Sequence, residues 1–177
     1  MSSIFYNDGF SVSPMSKKQI DSITQAIREI AAKCGWVDSN GAVDIVSLLE
    51  FGYEKFRIIP DHEMAGALGL TLPTGEILLR ESVYNGACYG NGRDRFTVAH
   101  ELAHGVLHKE QIGFARPVDH NTKIYCNAEW QANEFAGRLL LPDSCIKQHS
   151  GRSISEIAGL FQISYECAEI RISKYRK

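Results

Sequence analysis

Arg95-Phe96-Thr97-Val98-Ala99-His100-Glu101-Leu102-Ala103-His104 is the stretch that decides how this chain folds. It leads into an apolar stripe, Leu102, Ala103, Val106 and Leu107, at the period of a helix with one buried side. His100 and His104 are four residues apart, hence one turn apart on one face, so both imidazoles can reach a single metal ion. Glu101, beside the first histidine, is then placed to take a proton from a water that the ion activates. So short a pattern also arises by chance in unrelated helices. Its weight comes from the buried helix around it, which holds ligands rigid and partly dry.

A catalytic zinc takes three protein ligands and leaves one position for water, so the two histidines need a third partner. Downstream, Glu129-Trp130-Gln131-Ala132-Asn133-Glu134-Phe135-Ala136-Gly137-Arg138-Leu139-Leu140-Leu141-Pro142 reads as a second helix, stopped by its proline. On a wheel of about 100° per residue, Ala132, Phe135, Ala136, Leu139 and Leu140 fill one arc. Glu129 falls inside that arc, with Asn133 at its edge. Glu134 falls on the other side, beside Gln131 and set for an i,i+4 pair with Arg138. A carboxylate facing the core is costly unless something pairs with it, and zinc would do so. Glu129 is therefore the expected third ligand and Glu134 a surface residue. Asn133 is expected to accept a hydrogen bond from a ligating histidine.

These two stretches, the second read as Glu129-x-x-Ala132-Asn133-x-Phe135-Ala136-x-x-Leu139-Leu140-x-Pro142, together resemble the ImmA/IrrE family of metallo-endopeptidases over roughly residues 40–175. The resemblance implies a zincin-like catalytic domain with Zn²⁺ held by His100, His104 and Glu129. It also implies cleavage of a helix-turn-helix transcriptional repressor, or a similar regulator. Zincins with this ligand set often carry an aspartate four residues after the glutamate. Here that position is Asn133, an amide that accepts a hydrogen bond but adds no negative charge.

A chain of 177 residues suits one domain with a real core, and 44% hydrophobic with 23% charged residues is the balance of a globular protein. The formal charge of −2 argues against a broad nucleic-acid-binding surface. No segment approaches the ~20 apolar residues of a membrane helix, and Met1–Phe10 lacks the basic start and apolar core of a signal peptide. The five cysteines (Cys34, Cys88, Cys126, Cys145, Cys167) are odd in number and widely spread, as in a reducing compartment. The expected location is cytoplasmic, without a membrane partner. Cys88 and Cys126 lie near the motifs, and the favoured reading is that they are small packing residues.

In chain order, residues 1–13 read as a polar tail, 14–148 as the catalytic domain, and 149–177 as a C-terminal helical extension packed on it. Pro14 opens a helix to about Cys34, with Ile20, Ile23, Ile27, Ile30 and Ala31 as its buried stripe. A second helix spans Val43–Phe51, and Lys55–Ile59 reads as a strand. Ala67–Leu72 and Glu76–Arg80 flank a Pro73-Thr74-Gly75 turn, a hairpin signal. The expected fold is α+β, helices packed on a small antiparallel sheet. In zincins a sheet edge beside the metal helix commonly holds an extended substrate, and the hairpin is either that edge or simply an edge strand.

His108 continues the row of histidines but lies about 12 Å along the axis from His100 at 1.5 Å per residue, too far to share an ion with it. It reads as a packing or capping residue near the helix C-terminus, where the dipole favours a cation. His62, His120 and His149 read as solvated loop histidines. Tyr125, Tyr89, Arg93 and His120 are all candidates for an oxyanion donor by position alone. The final stretch, Ile154–Tyr175, resembles a helix-turn-helix with Ser164 as N-cap. Glu166 and Glu169 would repel phosphates, which favours packing or partner docking over DNA reading by Arg171 and Lys174. Two functional classes follow. One is a zinc endopeptidase with Glu101 as general base. The other is a regulatory binding protein, toxin-like or DNA-associated, that acts through contacts.

Overall fold

Ser16 opens the first helix, α1 (Lys17–Lys33), with a reciprocal cap to Gln19. A computed structural model describes residues 9–109, 111, 116–118 and 121–176 of the chain. In α1 the buried residues are Ile20, Thr24 and Ala31, while Ile30 is exposed, contrary to the expected stripe. Ile30 sits about 80° around the wheel from Ile20 at ~100° per residue, on the rim of the packed face. Asp44 caps a short helix, α2 (Ile45–Ser47), which widens into a π-helical turn over Leu48–Tyr53 and ends at Glu54 in the left-handed region.

Three short strands follow: β2 (Phe56–Ile59), β3 (Gly69–Thr71) and β4 (Ile77–Arg80). They succeed a two-residue β1 (Phe10–Ser11) near the start of the chain. β3 and β4 form the expected antiparallel hairpin, its turn completed by Gly75 at φ 81°. β2, however, pairs with β4 in parallel, so the sheet is mixed, in the order β2-β4-β3. After β2 the chain crosses through a 3₁₀ turn at Asp61–Glu63, lays β3 along the far edge, and returns between the two with β4.

The buried residues Ile77 and Leu79 of β4 lead straight into α3 (Glu81–Cys88) and then α4 (Gly92–Leu107), the helix of the two histidines. Asn91 caps α4 by accepting from the N–H groups of Arg93 and Asp94. Arg95 is buried and donates to the carbonyls of Gln162 at 3.0 Å and Val43 at 2.6 Å, fixing the start of α4. After α4, β5 (Arg116–Pro117) pairs antiparallel with β1, and the chain enters α5 (Ala128–Leu140). Residues 10–13, read above as the end of a polar tail, are thus held: Val12 is buried and its N–H reaches the Cys126 carbonyl at 2.8 Å. Pairing between segments a hundred residues apart leaves no local pattern to read.

α5 is packed on nearly every side. Glu134, expected at the surface, is 2% exposed. The cause is the C-terminal extension. α6 (Asp143–Gln148), α7 (Ile154–Phe161) and α8 (Tyr165–Tyr175) fold back so that Lys174 pairs with Glu134, joined by Arg138 at 3.6 Å. Arg138 also reaches Asp21 of α1 at 2.9 Å. Arg171, 4% exposed, donates to the Leu141 carbonyl at 3.0 Å and pairs with Asp143 at 2.6 Å. The turn between α7 and α8 has Gln162 in the left-handed region and Ser164 as N-cap, as the sequence suggests. Phe161 and Ala168 of this pair are fully buried in the common core. All five cysteines are free thiols, and no helix among the described residues is long and apolar enough to cross a membrane.

Candidate metal centre

α4 and α5 pack closely along their lengths, and their facing sides carry the polar groups of the site. His100 and His104 project from successive turns of α4, their Nε2 atoms 3.1 Å apart. Asn127 caps α5 by accepting from the Trp130 N–H, which sets Glu129 in the first turn. The Glu129 carboxylate meets His100 Nε2 at 3.1 Å and His104 Nε2 at 3.3 Å. Among the described residues these three form the one group of histidine, cysteine or acidic side chains gathered closely enough to hold an ion.

Donors about 2.0–2.1 Å from an ion in tetrahedral arrangement stand about 3.3–3.4 Å apart. The two histidine nitrogens of this triangle, 3.1 Å apart, are close to that, and Glu129 meets each through a different oxygen, Oε2 at 3.1 Å from His100 and Oε1 at 3.3 Å from His104. Without an ion the charges compensate one another. Burial pulls His100 down, but the Glu129 carboxylate, with Glu101, outweighs it and raises the ring's pKa. Burial likewise pushes Glu129 up, and the two histidines outweigh that and hold it well below the usual carboxylate range. Two imidazoles sharing a half-buried carboxylate is the arrangement a cation would complete.

The outer partners are equally specific. Asn133 Oδ1 lies 3.1 Å from His100 Nδ1, as expected from its place on the wheel. His104 Nδ1 lies 3.0 Å from His108 Nδ1, and His108 Nε2 lies 2.9 Å from Gln131 Oε1. His108 is a packing residue with 0% exposure, but not a cation: burial pushes it down to about 4, the amide of Gln131 only partly opposing this. Burial thus beats the helix dipole. Gln131, placed by the wheel on the outward side with Glu134, is 1% exposed and inside this network.

Glu101 stands beside the triangle rather than in it. Its carboxylate accepts from Thr71 Oγ1 at 2.8 Å, and the same hydroxyl reaches its backbone carbonyl at 3.1 Å. β3 lies against α4 here because Gly69 has no side chain. A Cβ on Gly69 would come within 2.6 Å of Glu101 Cγ. On the other flank Phe10 covers the histidine row, its ring 6.2 Å from His104 and 6.1 Å from His108. A Cβ on Gly9 would meet Glu129 Cγ at 2.9 Å. Neither Phe10 nor Gln131 carries a sequence signal for this role, since both owe it to contacts distant along the chain.

The remaining candidates lie elsewhere. His62 is exposed beside Glu63. His149, expected in solvent, is buried edge-on against Phe161 and meets the Asn40 carbonyl at 3.1 Å. Tyr89 is almost fully exposed, and Tyr125 is exposed beneath the Lys123 ammonium. Arg93 sits in the first turn of α4, where its N–H donates to Asn91, and His120 lies outside the described residues. Cys88 and Cys126 do not join the cluster.

An α+β domain that gathers two histidines and a glutamate between two packed helices, with a second carboxylate beside them, is zincin-like. The sequence model of the Peptidase M78 family, described as the IrrE N-terminal-like domain, matches residues 58–173, and the chain belongs to that family. No curated protein and no solved structure matches it. Its activity is of the peptidase class. Gly69→Ala, by displacing the Glu101 side chain, is expected to slow peptide cleavage about 10²-fold, the effect of a misplacement near 1 Å. Metal content should not change. Cleavage at the parent rate would mean that Glu101 tolerates the shift.

Proposed function

We propose that the chain is a zinc-dependent endopeptidase that holds Zn²⁺ through His100, His104 and Glu129 and cleaves a transcriptional regulator, a helix-turn-helix repressor or a close relative of one. The observation that carries this reading is the grouping of His100, His104 and Glu129 beside Glu101, whose own carboxylate is held by Thr71. Two imidazole nitrogens and a carboxylate gathered together are a donor set that suits Zn²⁺. Bound there, the ion supplies Lewis acidity that polarises a peptide carbonyl and brings the pKa of a water towards neutrality.

The chain's own groups do the rest. Thr71 holds Oε2 of Glu101, which leaves Oε1 to accept the proton of the attacking water and hand it to the leaving amine. Asn133 and His108 hold the two histidine rings through their Nδ1 atoms. β3 is an edge strand running beside the metal helix, and an extended substrate pairing with it would lie across the site. Five free thiols fit a cytoplasmic location.

The competing reading is a regulatory binding protein that acts through contacts, with DNA as one partner. Arg171 and Lys174, the cations that would meet phosphates, are engaged by Asp143 and Glu134 inside the protein, which weighs against a DNA-reading α8. Incubating the purified protein with a repressor encoded next to its gene separates the two. Cleavage that stops with a chelator and returns with Zn²⁺ is expected. An intact repressor held in a stoichiometric complex, with or without chelator, would favour the binding protein.

A further inference from the structure

His104 must present a bare Nε2 lone pair to an ion, so its single ring proton has to sit on Nδ1. A metal-binding histidine is ordinarily held in that tautomer by a carboxylate or a carbonyl, groups that can only accept, or by a water. Here the neighbour of His104 Nδ1 is another imidazole, His108, at 3.0 Å. An imidazole accepts at Nδ1 only if its own proton is on Nε2. Something else must therefore decide where the His108 proton goes.

The rest of the chain of contacts answers this. Gln131 Nε2 lies 2.9 Å from the Ser13 carbonyl and 2.8 Å from the Tyr125 carbonyl, both of which only accept. The amide NH₂ therefore faces them, and Oε1 faces His108 Nε2 at 2.9 Å. Oε1 only accepts, so His108 carries its proton on Nε2. A second proton, on Nδ1, would face the Nδ1–H that His104 carries when it binds through Nε2, 3.0 Å away, so the wholly buried ring carries only the one. Its Nδ1 is left as an acceptor, and His104 must donate to it. We infer that Gln131 and His108 form a relay that fixes the tautomer of His104 for metal binding, anchored on the backbone carbonyls of Ser13 and Tyr125. His108 is a positioning residue, and touches neither ion nor substrate.

The inference rests on the zinc site proposed above and adds residues to it. Ser13 lies outside the family-matched stretch 58–173, in the N-terminal segment whose Phe10 covers the two rings of the relay. The metal site of this chain is on that account completed by a segment outside the matched region.

Ring-nitrogen NMR of the ¹⁵N-histidine-labelled, zinc-loaded protein tests this directly. His108 is expected as the neutral Nε2–H tautomer, and His104 with its proton on Nδ1. A His108 proton on Nδ1 would overturn the relay. Zinc affinity, measured by competition with a chromophoric chelator, gives a second readout. His108→Leu should weaken it about 10–100-fold, the usual effect of losing an outer partner of a metal ligand. His108→Gln keeps an acceptor and a donor about as far apart as the two ring nitrogens, and should recover most of the loss. Parent affinity in His108→Leu, or a His108→Gln as weak as His108→Leu, would count against the relay. If His108→Leu does not fold, Gln131→Met removes the deciding acceptor and should weaken zinc binding in the same direction; unchanged affinity there would also overturn it. A parent protein that binds no zinc would instead sink the functional reading itself.

Discussion

Glu101→Gln is expected to bind Zn²⁺ like the parent and to cleave its protein substrate at least about 10²–10⁴-fold more slowly, the range that general-base catalysis alone contributes. The amide oxygen of glutamine still accepts from Thr71 Oγ1, and nothing in the donor triangle depends on residue 101, so fold and metal site should survive. What disappears is a group able to take a proton from water. Single-turnover cleavage of the regulator, alongside zinc content by elemental analysis, separates the two effects. Parent-rate cleavage would move the base to another residue. Loss of zinc with loss of activity would mean that Glu101 belongs to the binding site.

Glu129→Ala should nearly abolish zinc retention, a loss well beyond the 10–100-fold expected of an outer partner. It removes one of three donors and leaves two histidine nitrogens facing one another at 3.1 Å. Glu134→Ala provides the contrast five residues along the same helix. It should keep zinc and destabilise the protein by only about 1 kcal/mol, because Lys174 is partly exposed and Arg138 keeps its pair with Asp21. Equilibrium dialysis against zinc and chemical denaturation of both variants give the two answers. If Glu134→Ala loses zinc while Glu129→Ala retains it, the assignment of the third ligand is wrong.

The wheel that separates these glutamates also marks where sequence stops being informative. It points Glu129 towards α4 because the apolar arc records that one interface. It sends Glu134 to solvent because nothing in α5 announces that Lys174 of α8 returns from forty residues away to cover the opposite flank. Gln131 fails in the same way. The charge of His108 fails differently, since the dipole argument is sound but weaker than complete burial. Within the sheet, the β3–β4 hairpin is legible because its turn is local. The parallel pairing of β2 with β4 depends on a crossover whose path short-range patterns do not carry. Helices α4 and α5, with His100, Glu101, His104 and Glu129 on them, were readable because their chemistry is encoded at spacings of three and four residues.

α5 has the ion's glutamate on one flank and the seat of α8 on the other, five residues apart. In thermodynamic terms the helix then serves two binding events at once. Whatever factor the docking of α8 contributes to ion affinity, the ion returns to that docking, since such coupling is reciprocal. An ion at a thousandfold excess over its Kd stabilises the folded chain by about 4 kcal/mol. Any share of that energy that passes through α5 appears as a tighter hold on the C-terminal helices. A substitution that loosens α8 thereby disturbs the helix that carries Glu129 without touching any side chain of the site.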